Sequence, residues 1–194
     1  MGSLGFIMNL FKAYFHYASS PVQTLKTVLA QRSFKQGCAG YFVAALAWVI
    51  FFNINDGVFF PLFVLKVLLV FLAEITVGYM MASLMGLFLD FSRTEASPAE
   101  MFVLIGASGF IKSLLIACVL ISATFPWLNL GVFAPLLLLF VYLWQGIFIM
   151  RSMVKVYGIS YGRAFCALLF AFLPAFVFIG LLFVFALWGL LLLF

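Results

Sequence analysis

Five long apolar runs, separated by short polar or turn-forming stretches, dominate the hydrophobic pattern of the chain. They cover residues 37–54, 58–89, 98–124, 130–151 and 163–194. A helix needs about 20 consecutive apolar residues to cross the hydrocarbon core of a bilayer. The pattern therefore predicts an all-α integral membrane protein, in which residues 37–194 form a five-transmembrane-helix bundle.

Residues 1–36 carry a different pattern, in which apolar and polar positions repeat with the period of a helix. Phe6, Leu10 and Phe11 fall on one side of a helix over residues 4–19. Lys12 and His16 fall on the opposite side. A helix of this kind lies in the headgroup plane of a membrane or packs on a partner. The pattern predicts an arm of N-terminal amphipathic interfacial helices at the cytosolic face of the membrane.

Two short segments have the pattern of a helix start. In a capping box, a Ser side chain bonds a backbone N–H of the first turn, and a Glu or Gln three residues later bonds back. Pro is favoured at the first helical position. Ser20 with Gln23, and Ser97 with Glu100, have this spacing, with Pro after each Ser. They are predicted to cap a second arm helix and the third span, which gives Glu100 a structural role rather than a catalytic one.

Composition and the placement of charge both indicate a membrane protein. Of the 194 residues, 68% are hydrophobic and 8% are charged, and the mean hydropathy is +1.33; a soluble domain is about 25% charged. Eight of the ten Lys and Arg residues lie in the arm or in the second and fourth loops: Lys12, Lys26, Arg32, Lys35, Arg93, Arg151, Lys155 and Arg163. The positive-inside rule then places the N-terminus in the cytosol and the C-terminus outside. This alternation also explains the net charge of +5 without a nucleic-acid partner.

Small residues recur four apart on two consecutive spans. The two stripes are Gly78, Ala82 and Gly86, and Gly109, Ser113 and Ala117. Small residues let membrane helices approach closely. The stripes therefore predict a tightly packed hairpin of the second and third spans.

Three charged residues fall inside the spans: Lys66, Glu74 and Lys112. Glu74 and Lys112 are near the middle of adjacent spans that run in opposite directions, so their side chains are predicted to meet at one depth. A structural hypothesis is an ion pair that joins the hairpin. A functional hypothesis is a site that handles protons or solutes, which charge within a membrane commonly marks. Lys66 is nearer the outer end and is expected to extend toward the interface.

No arrangement of residues in the sequence indicates an enzyme. His16 lies outside every span, so it cannot serve as the base for a Ser nucleophile in the bundle. Asp56 and Asp90 fall at opposite faces on the predicted topology. No cluster of metal ligands and no phosphate-binding glycine loop is found in the sequence. The sequence therefore predicts no catalytic residues, no metal and no cofactor.

Three segments resemble the Yip (Ypt-interacting protein) domain family: SSPVQTLKTVL, SPAEMFVLIGASGF and RSMVKVYGISYGRAF. The resemblance implies five spans and a cytosolic N-terminus, and eukaryotic members are associated with Rab-type GTPases, vesicle traffic and membrane shaping. The chain lacks the long cytosolic N-terminal region of those members and its Asp-Leu-Tyr-Gly-Pro stretch, so Rab-type GTPase binding is not carried over. It is more similar to the short prokaryotic members. The expected location is the plasma (inner) membrane of a prokaryote, or the ER or Golgi membrane if the chain is eukaryotic.

Two functions remain open at this point. The leading hypothesis is a non-enzymatic multi-pass protein that acts as a membrane scaffold, lipid organiser or assembly partner. Its partners would be the lipid bilayer and other membrane proteins or further copies of itself. The alternative is a small transporter or channel that uses Glu74, Lys112 and Lys66.

Overall fold

A computed structural model describes residues 34–53, 60–125 and 130–193 of the chain, and all regular structure within these ranges is helical. The helices are α1 (Phe34–Phe52), α2 (Phe60–Phe91), α3 (Pro98–Ser108), α4 (Ser113–Thr124), α5 (Leu130–Tyr157) and α6 (Tyr161–Leu193). A 3₁₀ turn over Gly109–Lys112 joins α3 to α4. The predicted arm residues lie outside the described residues: Phe6, Leu10, Phe11, Lys12, His16, Ser20 and Gln23.

Three of the helical stretches are long and apolar enough to cross a membrane. These are Phe60–Phe91, Pro98–Thr124 and Val132–Tyr157. Two shorter apolar helical stretches, Gly37–Phe52 and Tyr161–Val177, accompany them. The predicted all-helical membrane architecture is confirmed at this level, and the count of five crossings stays a prediction.

The helix over the fourth predicted run extends beyond the predicted span. The span predicted at residues 130–151 stays a prediction, and α5 continues to Tyr157. Arg151 and Lys155 do not end the helix, because Arg and Lys are good helix formers and basic residues in a last turn interact favourably with the helix dipole. The chain turns instead at Gly158, whose φ of 65° is readily adopted only by glycine.

α3 is the centre of the bundle. Its residues from Met101 to Ser108 are all buried, and it packs against α1, α2 and α5. α6 packs on α2 and α5 and contributes Ala164, Ala167 and Ala171 to the same apolar core. A second, smaller core lies where α1, α4 and α5 meet, and it contains Ala47, Phe51, Leu115, Val119 and Val141.

The backbones of α1 and α3 touch where the two helices cross. A Cβ atom on Gly40 would overlap the carbonyl oxygen of Gly106, and one on Gly109 would lie 2.7 Å from the carbonyl oxygen of Gly40. Beside this crossing, the Tyr41 hydroxyl donates a hydrogen bond of 3.0 Å to the carbonyl oxygen of Phe102. Only glycine permits such an approach, so these residues fix how closely α1 packs on the central helix.

The 3₁₀ turn changes which face of the third span is buried. A 3₁₀ turn advances by about 120° per residue and an α-helix by about 100°, so four such residues rotate the following helix by about 80°. Gly109 is buried, but Ala117 is exposed. The prediction that Gly109, Ser113 and Ala117 form one packing stripe is therefore wrong. The stripe on α2 is buried throughout, but Gly78 lies against Tyr41 of α1.

The loop between α2 and α3 begins with a Schellman motif. The N–H of Arg93 bonds the carbonyl oxygen of Asp90 at 3.0 Å, and the N–H of Thr94 bonds that of Leu89 at 3.0 Å. Arg93 has a φ of 58°, and this left-handed position is usually occupied by glycine. An L side chain here is strained by about 1–2 kcal/mol.

The predicted capping box at the start of α3 is only partly correct. Ser97 is the N-cap residue, with an extended backbone, and Pro98 follows it in the first turn, as expected. The Ser97 side chain makes no capping hydrogen bond. The Glu100 carboxylate accepts a hydrogen bond of 3.3 Å from the hydroxyl of Tyr157. Glu100 therefore joins α3 to the end of α5, since its side chain reaches across to that helix.

Candidate functional site

The Glu74 carboxylate and the Lys112 ammonium group lie against each other inside the bundle. Lys112 Nζ donates a hydrogen bond of 2.5 Å to Glu74 Oε1. Glu74 comes from the middle of α2, and Lys112 is the last residue of the 3₁₀ turn. The contact predicted from charge sign and depth is therefore present in the structure, and its functional role stays a prediction.

The two partners differ in how far they are enclosed. The Lys112 side chain is 6% exposed and the Glu74 side chain is 19% exposed. A charge taken out of water must be compensated by a partner and by further polar contacts. The ammonium group is thus enclosed by protein, while one side of the carboxylate reaches the surface of the bundle.

Two aromatic rings complete the surroundings of Lys112. Its Nζ lies 5.7 Å from the ring centroid of Trp48 on α1 and 5.7 Å from that of Tyr142 on α5. The rings also contact each other, with centroids 5.9 Å apart. Cation–π attraction is strongest when the cation is desolvated, as it is here. Lys112 consequently links the central helix to α1, α2 and α5 at once.

The sequence did not point to Trp48 and Tyr142. The chain contains four Trp and seven Tyr residues, and aromatic residues in a membrane span are usually assigned to packing or to the interfacial belt. The signal available was depth: both residues fall in the inner part of their runs rather than at the ends. The proximity of these two rings to Lys112 depends on how α1 and α5 pack on the 3₁₀ turn.

A second polar contact lies one turn from the ion pair. Ser108 is four residues before Lys112 and fully buried. Its hydroxyl donates to the carbonyl oxygen of Ile105 at 2.6 Å and accepts a hydrogen bond of 2.9 Å from Gln145 Nε2. Polar side chains in lipid need such internal partners. Ser108 and Gln145 therefore add a second polar link between α3 and α5, which the sequence reasoning missed.

Lys66, the third predicted site residue, is not part of this cluster. Its Nζ donates a hydrogen bond to Asn53 Oδ1, and Asn53 Nδ2 donates to the carbonyl oxygen of Val49 at 2.7 Å. Lys66 is eight residues from Glu74 along α2, which corresponds to about 12 Å. The structure thus brings two of the three predicted residues together, and Lys66 instead joins α2 to the end of α1.

Comparisons of the chain with family models, curated proteins and solved structures found no match. In the ranges that the structure describes, no three His, Cys, Asp or Glu side chains form a group that could hold a metal ion. The expected absence of a metal stays a prediction. The candidate site consists of one ion pair, two aromatic rings and an amide–hydroxyl contact.

Proposed function

We propose that this chain is a non-enzymatic, multi-pass membrane protein that acts as a scaffold or lipid organiser. The observation that carries the proposal is the ion pair of Glu74 and Lys112. Each charge is compensated by the other, and the ammonium group is enclosed by Trp48 and Tyr142 as well. An arrangement that satisfies its own charges at one fixed position favours a structural role.

The other polar groups of the bundle support the same conclusion. Lys66 bonds Asn53 and joins α2 to α1, and Gln145 bonds Ser108 and joins α5 to α3. Each contact links two different helices. Polar contacts of this kind stabilise helix–helix association in lipid, where the hydrophobic effect does not drive helices together.

The topology is part of the proposal. Five crossings with a cytosolic N-terminus follow from the loop charges and agree with the resemblance to the Yip domain family. The proposed location is the plasma membrane of a prokaryote, with the ER or Golgi as the alternative in a eukaryote. The proposed partners are the bilayer and other membrane proteins or further copies of the chain. Rab-type GTPase binding and nucleic-acid binding are left out of the proposal.

A flux assay tests the scaffold role. Wild-type protein and Glu74→Gln would be reconstituted in proteoliposomes, and proton and monovalent-cation flux measured with dyes. Asp90→Asn is the matched control, since it makes the same carboxylate-to-amide change at an exposed position near the end of α2. The scaffold role predicts rates equal to those of empty liposomes for all three proteins. Flux that is abolished in Glu74→Gln and kept in Asp90→Asn would contradict it.

A small transporter or channel is the second candidate. The observation that favours it is the 19% exposure of the Glu74 side chain, against 6% for Lys112. A carboxylate open on one side could exchange a proton or cation while Lys112 stays enclosed. Flux dependent on Glu74 would support this candidate and, by the same result, remove the first.

A further inference from the structure

One face of α5 combines an apolar stripe with two unpaired cations. Trp144 and Ile147 are 53% and 48% exposed, and Arg151 and Lys155 follow them, also exposed. These four positions are three or four residues apart, so they lie on one face of the helix. The buried positions Phe148, Ser152 and Met153 alternate with them, so this face points away from the bundle.

The length of α5 leaves room for the two cations outside the hydrocarbon core. The helix has 28 residues, which corresponds to about 42 Å, whereas the hydrocarbon core is about 30 Å thick. Because charged side chains are costly in hydrocarbon, we expect the surplus at the end that carries Arg151 and Lys155, in the headgroup region. Trp144 and Ile147, one to three turns earlier, would then lie beside the acyl chains.

Arg163 adds a third cation at the same end. It lies in the first turn of α6, after the short turn over residues 158–160, and its side chain is exposed. α5 and α6 pack on each other, so the end of α5 and the start of α6 are neighbours. The three basic side chains share one rim of the bundle.

No salt bridge joins these cations to a protein carboxylate in the described part of the chain. The sequence contains no Asp or Glu after Glu100, and the Glu100 carboxylate accepts a hydrogen bond from Tyr157. Within the described ranges, the ion pair of Glu74 and Lys112 is the only salt bridge. Asp90, Glu95 and Glu100 lie at the same end of the bundle, but none of them forms a salt bridge with the three cations. The rim therefore carries three cations without a carboxylate partner, next to an apolar strip.

We propose that this face, the rim face, binds an anionic phospholipid. Arg151, Lys155 and Arg163 would contact the headgroup phosphate, and an acyl chain would lie along Ile147 and Trp144. Charge complementarity and the unbroken apolar stripe together select a lipid over a free anion. Lipid binding at this face rests on the proposed role as a membrane protein and lipid organiser, and it does not depend on whether Glu74 carries flux.

The test is a titration of the full chain in neutral detergent micelles. Brominated-acyl phosphatidylglycerol quenches tryptophan fluorescence on contact, and brominated-acyl phosphatidylcholine is the neutral comparison. Wild-type protein should be quenched at a lower mole fraction of phosphatidylglycerol than of phosphatidylcholine. Trp144→Phe should lose the lipid-selective part of the quenching, because Trp144 lies on the stripe.

The charge requirement is tested with two double variants of equal net charge. Arg151→Gln with Lys155→Gln removes two cations of the rim face. Lys35→Gln with Arg93→Gln removes two exposed cations elsewhere. The first variant should lose about thirtyfold in preference for phosphatidylglycerol, since each basic residue at a membrane surface contributes about fivefold in affinity. The second should keep most of the preference.

Three results would overturn the proposal. The first is an unchanged preference in the rim-face double variant. The second is an equal loss in both double variants, which would indicate attraction of any cation to any anionic micelle. The third is displacement of brominated phosphatidylglycerol by inorganic phosphate as effectively as by unbrominated phosphatidylglycerol, which would indicate a site for a free anion.

Discussion

Gly40→Ala should strongly destabilise the bundle. A Cβ atom at this position would overlap the Gly106 carbonyl oxygen and lie 2.7 Å from the Gly106 carbonyl carbon. Both are backbone atoms of the buried central helix, so no side-chain rotation can relieve the overlap, and α1 must move away from α3. Overpacking of a close-packed core costs about 1–3 kcal/mol, and a backbone–backbone contact belongs at the upper end of that range.

The movement would also disturb a specific hydrogen bond. Tyr41 follows Gly40 directly, and its hydroxyl bonds the Phe102 carbonyl oxygen at 3.0 Å. Separation of α1 from α3 lengthens this bond, which adds about 1 kcal/mol. We therefore expect a loss of about 3–4 kcal/mol in the free energy of unfolding. The measurement is reversible unfolding in mixed micelles of mild detergent and SDS.

Gly162→Ala is the matched control for this experiment. Gly162 lies in α6, and a Cβ atom there would have no neighbour within 4 Å. The same substitution should leave stability unchanged or raise it by up to about 1 kcal/mol, because alanine has the higher helix propensity. Equal stability of Gly40→Ala and Gly162→Ala would refute the close crossing of α1 and α3.

Three further predictions concern the hydrogen bonding, the strained loop and the topology. Tyr41→Phe should lower the free energy of unfolding by about 1 kcal/mol in the same micelles, because it removes the hydrogen bond to Phe102 without removing the ring. Tyr79→Phe, at a residue that is 66% exposed, is the control and should have a smaller effect. Equal losses in the two variants would contradict the role of the Tyr41 hydrogen bond. Arg93→Gly should raise the melting temperature, since glycine adopts the left-handed backbone conformation without the strain of about 1 kcal/mol that an L side chain has there. An unchanged or lower melting temperature would contradict that strain. In a cysteine-free background, single cysteines would replace Asn55, Asn129, Glu95 and Ser160 in turn. Impermeant maleimide added to intact cells should label the cysteines at positions 55 and 129, which are predicted to lie outside. It should not label those at positions 95 and 160. Labelling at Glu95 or Ser160 from outside would contradict a cytosolic N-terminus with five crossings.

Hydrophobic runs in the sequence were sufficient to predict where the helices lie. The third run, residues 98–124, coincides with the helical stretch Pro98–Thr124. The contact of Glu74 with Lys112 could also be predicted, because two opposite charges in antiparallel spans have few other ways to be compensated. Both predictions rest on the high free energy of exposed charge and backbone in hydrocarbon.

The packing of the helices could not be predicted in the same way. A span that faces lipid on one side and protein on the other is apolar all round, so its sequence gives no periodicity that marks the buried face. Thus α3 is buried from Met101 to Ser108 and much of α2 is exposed, although both belong to equally apolar runs. The small-residue stripe located the buried face of α2, but on the third span the 3₁₀ turn rotates Ala117 outward.

The surroundings of the charges escaped prediction for a related reason. The aromatic rings near Lys112 and the hydrogen bond from Lys66 to Asn53 both depend on how helices distant in sequence cross. Those crossings are set by contacts such as that of Gly40 with Gly106. A single sequence shows that glycine is present at both positions but does not show that the two residues meet.

The structural role of the ion pair is tested most directly by a double-mutant cycle on Glu74 and Lys112. Glu74→Gln, Lys112→Met and the double variant would be unfolded in the same micelles. Removing one partner of a buried ion pair costs about 3–5 kcal/mol in soluble proteins, and polar pairs in membranes measure nearer 1–2 kcal/mol. If the two charges stabilise each other, each single change destabilises the protein and the double variant recovers part of the loss. Losses that simply add would show that the two charges do not stabilise each other, and the structural role assigned to the pair would be wrong.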